Sequence, residues 1–117
     1  MSRVILDEGV PRTLARRLRE HGIDAVPFPN DWKQLSNGAL LAEVVQQGFG
    51  VLITNDKQMQ FQQNLTNLTL AVLVLPTNRR PDVLALASEI ADAVRSARMG
   101  QVLSIGASHV QPSKGGR

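Results

Sequence analysis

The chain has 117 residues, of which 43% are hydrophobic and 20% are charged, a balance that predicts one folded domain and excludes an intrinsically disordered chain. It contains no cysteine, which excludes disulfides and thiolate zinc sites, and its net charge of +3 permits a nucleic-acid partner without requiring one. No apolar run is long enough to span a membrane, and the chain enters the apolar residues 4–6 without a signal-peptide pattern. We therefore expect a soluble, cytoplasmic protein with no membrane partner.

The first part of the chain predicts a strand, a helix and a second strand. Residues 3–6 form a short apolar run that ends in a turn sequence at residues 7–9. Apolar side chains at helical spacing then extend from Pro11, which suits the first turn of a helix, to Gly22, which suits the end of one. Residues 23–28 form the second predicted strand, which is closed by prolines.

The middle of the chain predicts a second helix between further strands. Ser36 suits the N-cap of a helix that ends at Gly48, and residues 49–54 predict the third strand. Residues 58–64 predict a short polar helix or a loop. Residues 70–75 are an unbroken apolar run, which is typical of a central strand covered on both faces.

The last third of the chain predicts a helix followed by a hairpin. A stripe of apolar side chains at helical spacing predicts one long helix over residues 81–98. Residues 102–105 and 108–111 predict two short strands that form a final hairpin. We expect residues 1–111 to form the domain and the small, polar residues 112–117 to form a flexible tail.

The alternation of strand and helix patterns predicts the fold class. Such alternation is typical of a parallel sheet with right-handed crossovers and helices on both faces. We therefore expect a three-layer αβα fold with a mainly parallel sheet and the flavodoxin-like strand order 2-1-3-4-5. In that order the first and third strands are neighbours, and the topological switch point, where the strand order reverses, lies between them.

Two aspartates follow these neighbouring strands. Asp7 ends the first strand and Asp56 follows the third, so both are expected at the carboxyl edge of the sheet, where such folds bind ligands. Two carboxylates there repel each other unless a cation or a proton lies between them, and Mg²⁺ prefers carboxylate oxygens. We expect these catalytic and metal-binding carboxylates to lie roughly 4–6 Å apart. Taken singly, each aspartate is also a common turn former or helix cap.

Further polar side chains are expected at the same edge. Glu8 could join the metal site or could favour the helix dipole from the first turn. Asn37 lies at the N-terminal end of the apolar stripe of the second helix, where it could point into the site or cap its own helix. Trp32, in the loop after the second strand, could stack on an RNA base or cover the core. Four basic residues that follow strand ends could form an RNA-binding rim or an ordinary solvated surface: Arg12, Lys57, Arg79 and Arg80.

Three segments of the chain together resemble a small PIN-like, VapC-like domain family. Residues 4–24 resemble its opening strand, acidic turn and proline-capped helix. Residues 35–41, with Leu-Ser-Asn followed by a Leu-Leu pair, are similar to its second helix. Residues 51–57, Val-Leu-Ile-Thr-Asn-Asp-Lys, are similar to its third strand and the motif that follows. The resemblance covers roughly residues 3–75 and agrees with the predicted order of the remaining elements.

The PIN-like resemblance implies an endoribonuclease that uses Mg²⁺ or Mn²⁺, often as the toxin of a bacterial toxin–antitoxin pair. The implied partners are RNA and an antitoxin protein, and a homodimer is a further option. Asp7 and Asp56 match two acids of the family, whereas Asn37 and Gln58 stand where the family commonly has aspartate. Amides keep the shape of an acid but remove its charge. We therefore expect weak metal binding, or none, and reduced or lost cleavage.

Three functional hypotheses follow. The first is an active metal-dependent endoribonuclease, and the second is a catalytically degenerate PIN-like domain that binds RNA or a partner protein without cleavage. The third is a receiver-type signalling domain with an acidic pocket, in which Thr77 would follow the fourth strand. The third ranks last because a receiver also needs a Lys-Pro pair after its fifth strand, and the chain contains none.

Overall fold

Strands and helices alternate along the chain, as the hydrophobic patterns predict. The structure is a computed structural model that describes residues 3–61 and 68–106. The strands are β1 (Val4–Leu6), β2 (Ala25–Val26), β3 (Val51–Thr54), β4 (Ala71–Val74) and β5 (Val102–Ser104). The helices are α1 (Thr13–Glu20), α2 (Asn37–Gln46), α3 (Arg80–Ala85) and α4 (Ala87–Ser96), with 3₁₀ turns at Asn30–Trp32 and Lys57–Phe61. None of these described helices is long and apolar enough to cross a membrane.

The described strands form one five-stranded parallel sheet in the order β2-β1-β3-β4-β5. This confirms the predicted fold class and the flavodoxin-like strand order. β1 and β3 are neighbours, with Ile5 opposite Leu52 and Leu6 opposite Ile53. The switch point of the sheet therefore lies between the two strands that precede Asp7 and Asp56.

Helices cover both faces of the sheet and make three layers. Helices α1, α3 and α4 pack on one face, in a core cluster that includes Leu6 and Ile53. Helix α2 and the Lys57–Phe61 turn pack on the other face, in a cluster that includes Ile5 and Leu52. Successive residues of β1 and β3 thus enter opposite cores, as the two-residue period of a strand requires.

Two elements differ most from their predicted extent. β2 is confined to Ala25–Val26 within the predicted residues 23–28, because Pro27 has no N–H to donate to a sheet ladder. The predicted helix over residues 81–98 is two helices, α3 and α4, separated at Leu86. The N–H of Leu86 donates to the carbonyl of Val83, three residues back, which tightens the last turn of α3 and ends it.

The predicted final hairpin is only partly within the described residues. Its first arm corresponds to β5, which pairs with β4 in parallel. The second arm, at residues 108–111, lies outside the described residues. The same holds for the predicted domain boundary at residue 111 and for residues 112–117.

The burial of Met59 in the Lys57–Phe61 turn should contribute to the stability of the fold. Met59 is 0% exposed in the α2-side core, whereas Met99 is 72% exposed between α4 and β5. Met59→Ala should lower the free energy of unfolding by about 2–5 kcal/mol, because it removes buried atoms and leaves a cavity. The matched change Met99→Ala should alter it by less than about 0.5 kcal/mol. Urea denaturation of both variants checks this, and equal losses would contradict the packing described for Met59.

Candidate functional site

An open cavity of about 350 Å³ lies beyond the carboxyl ends of β1 and β3, on the α2 face of the sheet. Asp7 and Asp56 both line it, although they are far apart in the sequence. The cavity therefore brings together the two carboxylates that the strand pattern singled out. Its lining consists of Asp7, Glu8, Gly9, Phe28, Trp32, Lys33, Leu35, Asn37, Leu40, Asn55 and Asp56.

The side chain of Thr54 connects the two aspartates beneath the cavity. Its hydroxyl donates to Oδ2 of Asp7 at 2.6 Å and accepts from the backbone N–H of Asp56 at 3.0 Å. Thr54 is 0% exposed and is the one buried polar residue among the described parts of the chain. Thr54 is not among the site residues predicted from the sequence, because a threonine at the end of an apolar run is an ordinary strand residue. The available signal was its spacing, since Thr54 shares the strand face of Leu52.

Asp56 is held by one side chain and one backbone group. Asn37, the first residue of α2, donates from Nδ2 to Oδ2 of Asp56 at 3.2 Å, so it does point into the site. The N-cap of that helix is Ser36, as predicted, and its hydroxyl accepts from Ala39. Gln58 contacts Asp56 only through its backbone N–H, at 2.9 Å, and its exposed side chain is not part of the cavity lining. Asn37 is thus a site residue, whereas the side chain of Gln58 lies outside the cavity.

The turn after β1 is locked against the end of β3. Asn55 donates from Nδ2 to the carbonyl of Gly9 at 2.8 Å. A Cβ atom on Gly9 would lie 2.7 Å from Oδ1 of Asn55, which is closer than side chains pack. A larger residue at position 9 would therefore displace the Asn55 side chain from this arrangement. The turn also carries the exposed Glu8 along the cavity wall. The alternative role of Glu8, in the first turn of the helix, is wrong, because α1 begins at Thr13 and has no acidic residue in its first turn.

Two of the basic residues predicted to bind RNA form hydrogen bonds with backbone carbonyls instead. Arg12 donates to the carbonyl of Phe28 at 3.1 Å. Lys57 donates to the carbonyls of Leu75 and Pro76 at 3.2 and 3.3 Å, at the carboxyl end of β4. Each side chain therefore links two segments that are distant in the sequence, and neither lines the cavity.

The other two basic residues predicted to bind RNA lie near the start of α3. Arg79 pairs with Asp82 at 3.6 Å, and Arg80 is exposed. Neither lines the cavity, whereas Lys33, which the sequence analysis passed over, does. Lys33 is exposed and directly follows the Asn30–Trp32 turn.

Trp32 covers part of the core and also lines the cavity. Its ring packs edge-to-face on Phe28 and Phe49, with centroids 6.3 and 6.5 Å apart. These contacts cover the core on the α2 face. The ring is only partly buried and also forms part of the cavity wall. A ligand in the cavity would therefore meet an aromatic surface.

Comparisons of the chain with protein-family models, with curated proteins and with solved structures give no match.

The Thr54 hydroxyl should contribute measurably to stability through Asp7. Thr54→Val keeps the side-chain shape but removes a hydrogen bond to a carboxylate, so the free energy of unfolding should fall by about 1.5–3 kcal/mol. Thr54→Ser keeps the hydroxyl and should lose about 0.8 kcal/mol for the missing methyl group. In an Asp7→Ala background the cost of Thr54→Val should shrink, because one partner is already absent. The wild-type protein, Thr54→Val, Asp7→Ala and the double variant form a double-mutant cycle, and their denaturation measures the coupling between the two side chains. Additive losses would contradict the hydrogen bond from Thr54 to Asp7.

Proposed function

We propose that the protein is a divalent-cation-dependent endoribonuclease with a PIN-like site. The observation that carries the proposal is the convergence of Asp7 and Asp56 on one open cavity at the switch point of a parallel sheet. The resemblance of residues 3–75 to PIN-like domains supports an RNA substrate and a cytoplasmic toxin whose partner is an antitoxin protein.

The donor set of the cavity fits a cation that is held by few protein ligands. Each oxygen of Asp7 and Asp56 accepts one protein hydrogen bond, from Glu8, Thr54, Gln58 or Asn37. A carboxylate oxygen has two acceptor sites, so each of the four keeps one for a ligand. Among residues 3–61 and 68–106 there is no group of three or more His, Cys, Asp or Glu placed to hold a metal. Two carboxylates are nevertheless a common protein contribution to a Mg²⁺ site, since waters and substrate phosphates complete the coordination.

The residues of the chain position this donor set. Asp7 and Asp56 would hold Mg²⁺ or Mn²⁺, and the bound ion would polarise a phosphoryl oxygen and activate a water molecule. Thr54 fixes the orientation of Asp7, and Asn37 together with the Gln58 N–H fixes that of Asp56. Preorganised ligands of this kind avoid reorganisation when the substrate binds.

A second candidate function is a PIN-like domain that binds RNA or a partner protein without cleavage. The observation that favours it is the hydrogen bond from Nδ2 of Asn37 to Oδ2 of Asp56. An aspartate at position 37 would add a negative charge beside that oxygen, whereas the amide directs a partial positive charge towards it. The cavity therefore attracts a cation less strongly than one with a carboxylate at position 37.

Removal of the charge of either aspartate should weaken cation binding and reduce cleavage. Asp7→Asn and Asp56→Asn should each weaken Mn²⁺ binding by at least about tenfold, because a ligand charge is lost while the shape is kept. The matched control is Asp24→Asn, since Asp24 is exposed at the opposite edge of the sheet, where it pairs with Arg3. Calorimetry with Mn²⁺ and cleavage of a labelled single-stranded RNA measure the two effects. Full Mn²⁺ affinity in both cavity variants would refute the proposed site.

A carboxylate at position 37 should strengthen the site. Asn37→Asp adds a charge within reach of Asp56 and should raise Mn²⁺ affinity by about tenfold or more and increase RNA cleavage. Gln58→Asp adds the same charge on an exposed side chain outside the cavity and should have a smaller effect. Metal titrations of both variants, with cleavage assays, separate the two functions. Cleavage by Asn37→Asp but not by the wild-type protein would favour the non-cleaving function for the natural chain.

A further inference from the structure

The cavity contains one basic residue among the described parts of the chain. Lys33 lines it together with Asp7, Glu8 and Asp56. The side chain is exposed and directly follows the 3₁₀ turn Asn30–Trp32, with backbone angles of φ −61° and ψ −26°. Lys33 therefore leaves the turn beside the aromatic wall of the cavity.

The ammonium group of Lys33 is in a different situation from three of the four basic groups predicted to form the rim, and the fourth, that of Arg80, is exposed but does not line the cavity. Arg12 and Lys57 donate to backbone carbonyls, and Arg79 pairs with Asp82. Lys33 forms no salt bridge with a carboxylate of residues 3–61 or 68–106. Among these basic residues, Lys33 is consequently the one best placed to bind an anion in the cavity.

The charges of the lining couple the binding of a phosphate to the binding of a cation. Three carboxylates, from Asp7, Glu8 and Asp56, and the ammonium of Lys33 give the lining a formal charge of −2. A phosphodiester entering this cavity is repelled by like charge. One divalent cation brings the formal charge to zero, and Lys33 then supplies an attraction on the solvent side. The bound cation therefore favours binding of a phosphate in the cavity, and a bound phosphate favours binding of the cation.

We propose that Lys33 is the phosphate-binding residue of the cavity, and that an RNA phosphate binds there only together with a divalent cation. The substrate class in this inference rests on the proposed function. The two ligands are then positively coupled, so RNA must raise the affinity for the cation by the same factor by which the cation raises the affinity for RNA. Lys33 acts here as a binding residue, and its contribution is the charge it offers to the phosphate.

The test measures binding without cleavage. The probe is a fluorescent single-stranded oligonucleotide with 2′-O-methyl ribose, whose integrity is checked on a gel, and its anisotropy is measured over a salt series with Mn²⁺ or with EDTA. Lys33→Met removes the charge but keeps the apolar stem. The matched control is Arg98→Met, which removes one charge from an exposed side chain after α4, at the opposite edge of the sheet. Lys33→Arg keeps the charge and serves as the rescue variant.

With Mn²⁺, Lys33→Met should weaken oligonucleotide binding by about three- to tenfold and lower the salt slope by about 0.7, the value for one phosphate contact on a single strand. With EDTA, the wild-type protein should bind weakly, and Lys33→Met should make little further difference. Arg98→Met should keep the wild-type salt slope, and Lys33→Arg should restore it.

Two further results distinguish failure of this inference from failure of the proposed function. Mn²⁺ binding is measured without oligonucleotide by the fluorescence of Trp32, the single tryptophan of the chain, in the cavity wall. Mn²⁺ binding that depends on Asp7, combined with oligonucleotide binding indifferent to Lys33 or to Mn²⁺, would overturn the inference alone. Absence of Mn²⁺ binding would overturn both.

Discussion

The parallel pairing of β1 with β3 is the constraint on which the candidate site depends. The ladder continues past the end of β1, because the N–H of Asp7 donates to the carbonyl of Ile53 at 2.8 Å. This backbone hydrogen bond places Asp7 beside Thr54, whose hydroxyl then reaches the aspartate and the N–H of Asp56. The pairing of β1 with β3 thus brings Asp7 and Asp56 to the same cavity, although they are far apart in the sequence.

Most of the architecture could be predicted from hydrophobic periodicity alone. Apolar runs marked the strands, helical stripes marked the helices, and their alternation led to the observed strand order. The division of the last long helix could not be predicted in this way. Leu86 is a good helix former with no glycine or proline near it, and the break is a change of hydrogen-bond partner that leaves Val83 and Ile90 buried on both sides.

The candidate site was only partly predictable, for a different reason. The topological rule for strand ends located Asp7 and Asp56, and helix periodicity gave the direction of Asn37. The basic residues illustrate the limit. Lys57 follows a strand end, yet its ammonium caps carbonyls of the β4 end, whereas Lys33 comes from an irregular loop and lines the cavity. A loop has no period from which the direction of a side chain can be calculated, so only tertiary structure distinguishes these two lysines.

The two-residue period of β3 has a consequence for how this chain can vary. Leu52 enters the α2-side core and Ile53 the opposite core, and Thr54 follows on the face of Leu52. Insertion or deletion of one residue between Leu52 and Thr54 would put these two positions out of phase and turn the hydroxyl away from Asp7. Substitutions such as amide for acid leave this frame intact. The length of β3 is therefore more tightly constrained than the chemistry of the side chains that line the cavity.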